Sequence, residues 1–233
     1  MTNPNPFSFT YTKLKGYEEC GRKHKAELDK LLPPPSGEAI DYGNEVHIAL
    51  HKAIKDDIPL PPRLGFLQYW VDWAKSLPGE RFVEEKWGLS DQFQPTEFFR
   101  RNNADAWPWM RLIVDLAVVN HESNVAWLVD WKTGKRLEEP LQLWLGAALM
   151  FQKFPDLKVI ESMFVWLKED DGKNSHNCIS AERIKRSQID DLWAQLMPRI
   201  KTYEDAVATG AFYPSPGKHC RWCKLMGCKE RAA

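Results

Sequence analysis

No apolar stretch in this chain approaches the roughly 20 residues that a membrane-crossing helix needs, and residues 1–17 carry no apolar run of the secretory kind. The expectation is a soluble, cytoplasmic protein with no membrane partner. An excess of charge is equally lacking: 32 Lys and Arg balance 32 Asp and Glu, so any polyanion must be met by local charge placement. Internal repeats and low-complexity segments are absent. The 233 residues, 43% of them hydrophobic, suffice for one sizeable core. A single domain over residues 1–233 is expected, with a core at about 39–170 and helical, cysteine-bearing regions at 8–32 and 180–230.

Cysteine is scarce, and five thiols in an intracellular chain are poor disulfide candidates, since a reducing compartment keeps them free. Clustered ones are better read as metal ligands. Cys220, Cys223 and Cys228 crowd one end of the chain, Cys20 lies near the other, and Cys178 stands alone as a free thiol. Tryptophan is abundant by contrast, but most of the eleven sit in apolar patterns such as Leu67–Trp73, where packing explains them.

Periodicity divides the chain into helices around a small sheet. Ser8–Leu32 is predicted as one helix with Thr10 or Thr12 as N-cap, stopped by Pro33-Pro34-Pro35. Ala39–Ile54 places Val46, Leu50 and Ile54 on one helical face, with His47 and His51 on a neighbouring stripe. Arg63–Ser76 is a third helix. Strands are predicted at Arg81–Leu89, Met110–Asn120 and Val125–Lys132, the last two joined by the turn-forming His121–Asn124 as an antiparallel hairpin. A helix at Pro140–Phe154, a strand at Val159–Lys168 and a long helix at Ile184–Gly210, disturbed at Pro198, complete the pattern. The fold class is α/β, with a small mixed sheet flanked by helices.

The segment carrying most chemistry runs from Asp115 to Lys132. In Asp130-Trp131-Lys132 the outer two side chains share one strand face, because residues two apart point the same way. A carboxylate and an ammonium beside a second strand carrying Asp115 can hold a divalent ion and orient a water for attack on phosphorus. Oxygen ligands suit Mg²⁺ or Mn²⁺.

These residues resemble the signature of the PD-(D/E)XK nucleases, in particular the RecB-type exonuclease branch that includes the CRISPR-associated adaptation nucleases. Leu14, Tyr17, Cys20, Arg22 and Lys23 follow that branch's opening motif, with Gly21 where proline is usual. Gly43 and His47 resemble its G-x-x-x-H helix, and Gln142 stands where a Q-x-x-x-Y helix helps place DNA, with Gly146 at the tyrosine position. The resemblance implies catalysis by Asp115, Asp130, Lys132 and Gln142. It also implies that His47, Asp115, Asp130 and the Trp131 carbonyl hold the metal, with DNA as partner. It further implies a [4Fe–4S] cluster on Cys20, Cys220, Cys223 and Cys228 that joins the two chain ends. Spacing alone leaves zinc open for the four thiols. One of Glu84 and Glu85 is expected to add a carboxylate to the site, and alternation does not choose between them.

For each signal an ordinary structural reading stands beside the functional one. Asp115, Asp130 and Lys132 could form a surface salt bridge; His47 and Gln142 could be satisfied helix residues. His51 is read as structural. The basic runs at Lys13–Lys25 and Arg183–Arg186 are read as solvated faces, with phosphate contact by the first as a hypothesis. The principal function expected is a metal-dependent DNA exonuclease of recombination, repair or mobile-element DNA processing. Its rivals are an inactive DNA-binding adaptor with the same fold and a zinc-stapled interaction domain.

Overall fold

The computed structural model describes residues 7–100, 102, 106–137, 139–168 and 175–232. In chain order its main elements are α1 (Tyr11–Glu19), α2 (Gly21–Leu28), α3 (Glu38–Lys55), α4 (Gln68–Ser76), β1 (Glu80–Leu89), β2 (Pro95–Glu97), β3 (Met110–Asn120), β4 (Val125–Lys132), α5 (Pro140–Lys153), β5 (Val159–Trp166), β6 (Ile179–Lys185) and α6 (Ile189–Thr209). Contacts group the residues into two compact units, Ser36–Leu192 and the pair Met1–Pro35 with Trp193–Ala233. Among the described residues no helix is long and apolar enough to cross a membrane.

The larger unit holds a six-stranded mixed sheet in the order β2-β1-β3-β4-β5-β6. All neighbours run antiparallel except β4 and β5, which are parallel. A parallel neighbour requires a crossover, and α5 supplies it. This helix covers one face of the sheet, where Gln142 meets Asp130 and Lys132. The other face belongs to α3 and α4. There Val46, Leu50 and Ile54 are buried as their four-residue spacing predicts, and the Trp131 ring lies edge-on to Trp70 and Trp73. Covered on both sides, β5 is apolar along nearly its whole length. The orphan carbonyls at the end of α5 are taken by Arg186, whose guanidinium reaches Phe151 O, Phe154 O and Leu157 O.

In the smaller unit Thr10 caps α1, its side chain accepting the Lys13 N–H at 3.2 Å. The single helix expected over Ser8–Leu32 is instead two. Cys20 between them is extended, with φ −164° and ψ 107°. At this break the Arg22 N–H donates to the Tyr213 carbonyl at 3.2 Å. A Cβ on Gly21 would come within 2.7 Å of that same oxygen, so the backbone approach needs glycine. The long helix expected from Ile184 also begins later: Ile179–Lys185 is strand β6, which extends the sheet beside β5 and uses helix-compatible residues as an edge. Pro198 lies inside α6, and Thr202 Oγ1 bonds the Pro198 carbonyl at 2.8 Å, the group that a continuing ladder would share.

Candidate active site

The site forms where β3 and β4 part. Their ladder ends at Leu116 paired with Val129, so one step further the register brings Asp115 opposite Asp130. The same holds across β1 and β3. Pairs on either side, Val83 with Leu116 and Glu85 with Val114, put Glu84 opposite Asp115, yet that pair makes no ladder bridge. Three carboxylates therefore occupy one row across neighbouring strands. Like charges directly opposite are destabilising, and at this same position the backbone is unusual: Glu84 takes φ +53°, a left-handed conformation that non-glycine residues seldom adopt.

Asp115 turns into the gap. Its Oδ2 accepts the Trp131 N–H at 2.8 Å, replacing the bond the strand would have made. Its Oδ1 lies 3.3 Å from Nδ1 of His47, which α3 brings in from the far face, and Glu84 Oε1 lies 3.5 Å from the same nitrogen. His47 Nε2 donates to the Trp131 carbonyl at 3.1 Å. Burial by itself would pull the imidazole pKa down, but hydrogen bonds to Asp115 and Glu84, and then their charges, raise it to about 10. Oxygen atoms of Asp115, Glu84 and the Trp131 carbonyl thus surround the ring. His47, Glu84 and Asp115 each offer an atom within 4.8 Å of the others, a spacing a single metal ion can bridge. A divalent ion entering there must displace the ring proton.

On the other side of the gap, Lys132 Nζ lies 2.6 Å from Asp130 Oδ2. Gln142 clasps both: its Oε1 accepts from Lys132 Nζ at 2.9 Å, and its Nε2 donates to Asp130 Oδ1. Burial, with the Asp115 charge beside it, pushes the Asp130 carboxyl above the usual carboxylate range despite Lys132. The arrangement joins an oxygen-rich candidate cation site to a lysine that directly follows the Trp131 carbonyl and lies two residues from Asp130. Such a set can neutralise and polarise a phosphate and steer a water.

A family model of the PD-(D/E)XK nuclease superfamily matches residues 8–228. The chain belongs to this superfamily. No curated protein matches it. PD-(D/E)XK proteins are in general phosphodiesterases that work with divalent metals, and the His47–Glu84–Asp115 group fits that requirement.

The sequence-level candidates are thus brought together in this unit: His47, Asp115, the Trp131 carbonyl, Asp130, Lys132 and Gln142. Of the two glutamates left open, Glu84 faces the site, while Glu85 pairs with Lys55 at 3.3 Å. Only the register and the odd φ decide this, and neither is visible in the sequence. Gly146, at the expected tyrosine position, lies against β4: a Cβ there would meet Leu128 Cδ2 at 2.5 Å. Any side chain at that position would have to displace the Leu128 side-chain tip.

The four cysteines fall in the smaller unit. Cys20, Cys220, Cys223 and Cys228 line one small cavity together with Lys23 and His219. All are unbridged, and the Gly217 N–H points at Cys220 Sγ at 3.4 Å. An amide donor on a cysteine sulfur is of the kind that favours the thiolate form. Cys178, immediately before β6, is buried in the hydrophobic core of the larger unit.

Proposed function

We propose that the protein is a metal-dependent deoxyribonuclease, acting as an exonuclease on single-stranded or free-ended DNA in the manner of the RecB-type branch. The observation that carries the reading is the Glu84–Asp115–Asp130 row with His47 and Lys132 at the fork of β3 and β4. His47, Glu84 and Asp115, with the Trp131 carbonyl and Asp130 as further oxygen donors, would hold Mg²⁺ or Mn²⁺. When bound, the ion supplies Lewis acidity toward a phosphoryl oxygen and lowers the pKa of a bound water. Lys132 orients that water and offsets charge growing on the phosphoryl oxygens. Gln142 positions Lys132 and Asp130, so neither has to be ordered as the reaction proceeds.

Release of nucleotides from end-labelled single-stranded and duplex DNA tests the reading, with Mn²⁺, Mg²⁺ or a chelator. Cleavage should require the metal, and Lys132→Ala should lower its rate at least about 100-fold, the scale for losing a transition-state donor, with the fold intact. No metal-dependent cleavage by folded protein, or parental cleavage by the variant, overturns it in favour of a DNA-binding adaptor.

The four-cysteine cavity is proposed to hold a [4Fe–4S] cluster that staples the two ends of the chain. Protein purified without oxygen should carry about four irons per chain and absorb in the visible. Cys223→Ala should lose both. Stoichiometric zinc without iron would instead make the staple a zinc site.

A further inference from the structure

Beside the lysine, on the α5 face of the sheet, a cavity of about 330 Å³ is walled by Pro140, Leu143 and Phe164 and edged by Glu139, Ser180 and Glu182. That volume lies within the roughly 300–1,000 Å³ of small-ligand pockets. Its position is fixed by register. Phe164 is the β5 partner of Asp130 and pairs on its other side with Ser180, and its ring centre is 4.9 Å from Lys132 Nζ. Leu143 follows Gln142, the residue clasping Lys132 and Asp130. A group lodged in the cavity would therefore lie beside Lys132, the residue proposed above to act at the phosphoryl oxygens.

The lining excludes a phosphate. Among the described lining residues the ionisable side chains are the carboxylates of Glu139 and Glu182, with no cation beside them in the wall. The apolar walls suit a flat ring, and the carboxylates suit ring-edge N–H donors. Glu182 is held in place, its Oε2 accepting the Trp144 Nε1–H at 2.5 Å. At the rim, Arg136 binds Ser180 Oγ at 2.7 Å and the Asn177 carbonyl at 3.0 Å, which puts a guanidinium where a nucleotide's own phosphate would emerge.

We infer that this cavity is a nucleobase subsite for the nucleotide adjoining the scissile phosphate, and that it favours guanine over thymine. Guanine presents two adjacent donors, N1–H and the N2 amino group, which one carboxylate can accept together. Adenine and cytosine present one amino group beside an acceptor. Thymine flanks its single N–H with two carbonyl oxygens that the carboxylates repel. A well-made bidentate contact of this kind discriminates by roughly tenfold or more.

The inference rests on the nuclease reading, so the test has two arms. In the first, the whole protein in chelator is titrated with dGMP, dAMP, dCMP and dTMP and followed by tryptophan fluorescence and NMR. The expected result is dGMP binding at least about tenfold tighter than dTMP, with the preference falling below about threefold in Glu182→Gln and Glu139→Gln at unchanged melting temperature. In the second, Mn²⁺-dependent cleavage of oligonucleotides differing only at one base is mapped, and guanine beside the cut should be favoured by a similar factor. Cleavage without base preference, unaltered by either glutamate variant, overturns the subsite and leaves the nuclease standing. Glutamate-dependent dGMP binding without cleavage leaves the subsite and overturns the nuclease.

Discussion

Glu84 shows what a single residue contributes when its conformation works against stability. It sits opposite another carboxylate and in a left-handed conformation, which together cost on the order of 1–3 kcal/mol. In that conformation its carboxylate lies 3.5 Å from His47 Nδ1. Glu84→Gly should relieve both penalties, raising the unfolding free energy in urea by about 1 kcal/mol while lowering metal-dependent cleavage at least about tenfold. Glu85→Gln, one residue along and in an exposed pair with Lys55, should change stability by less than about 0.5 kcal/mol and leave cleavage alone. Equal behaviour of the two variants would sink the assignment of Glu84 to the site.

At the level of elements, both departures from the family motifs are glycines at close approaches. Gly21 lets the start of α2 meet the Tyr213 carbonyl, and Gly146 lets α5 press onto β4. The second approach is what brings Gln142 within reach of both Asp130 and Lys132. Writing the motif tyrosine back in as Gly146→Tyr should therefore harm the protein. We expect a loss of about 3 kcal/mol, at the upper end for overpacked interiors. Gly146→Ala should be nearly neutral, because a gain of about 1 kcal/mol in helix propensity is offset by displacement of the Leu128 side-chain tip. Urea midpoints of the two variants decide this, and a stable tyrosine variant would refute the packing explanation.

At the scale of the molecule, acid sensitivity should arise from a buried histidine of the smaller unit. His24 is 4% exposed, with Nε2 2.7 Å from the Tyr203 hydroxyl in a cluster that includes Tyr17 and Phe212. Burial, then the charges of Lys13 and Lys23, lower its pKa from 6.5 to about 4. The unfolded chain therefore binds a proton that the folded one refuses. This stabilisation is complete above pH 6.5 and is lost as pH falls from there through 4, by roughly 3 kcal/mol in all. Stability measured from pH 7 to 4 should fall more steeply for the parent than for His24→Gln, and parallel curves would exclude His24 as the cause.

The sequence by itself determined the strands that bear Asp115, Asp130 and Lys132, the helix that bears His47, and the α/β class, because alternation and helical spacing are local and survive reading one residue after another. It could not choose Glu84 over Glu85, break the first helix at Cys20, or find strand β6. Those depend on partners far along the chain: an open β3–β4 ladder, a carbonyl at Tyr213 and an edge offered by β5. Only the tertiary structure turned Gln142 into a clasp and made Gly146 a place for a small residue, since both are properties of how closely α5 approaches β4, and that distance is set by packing.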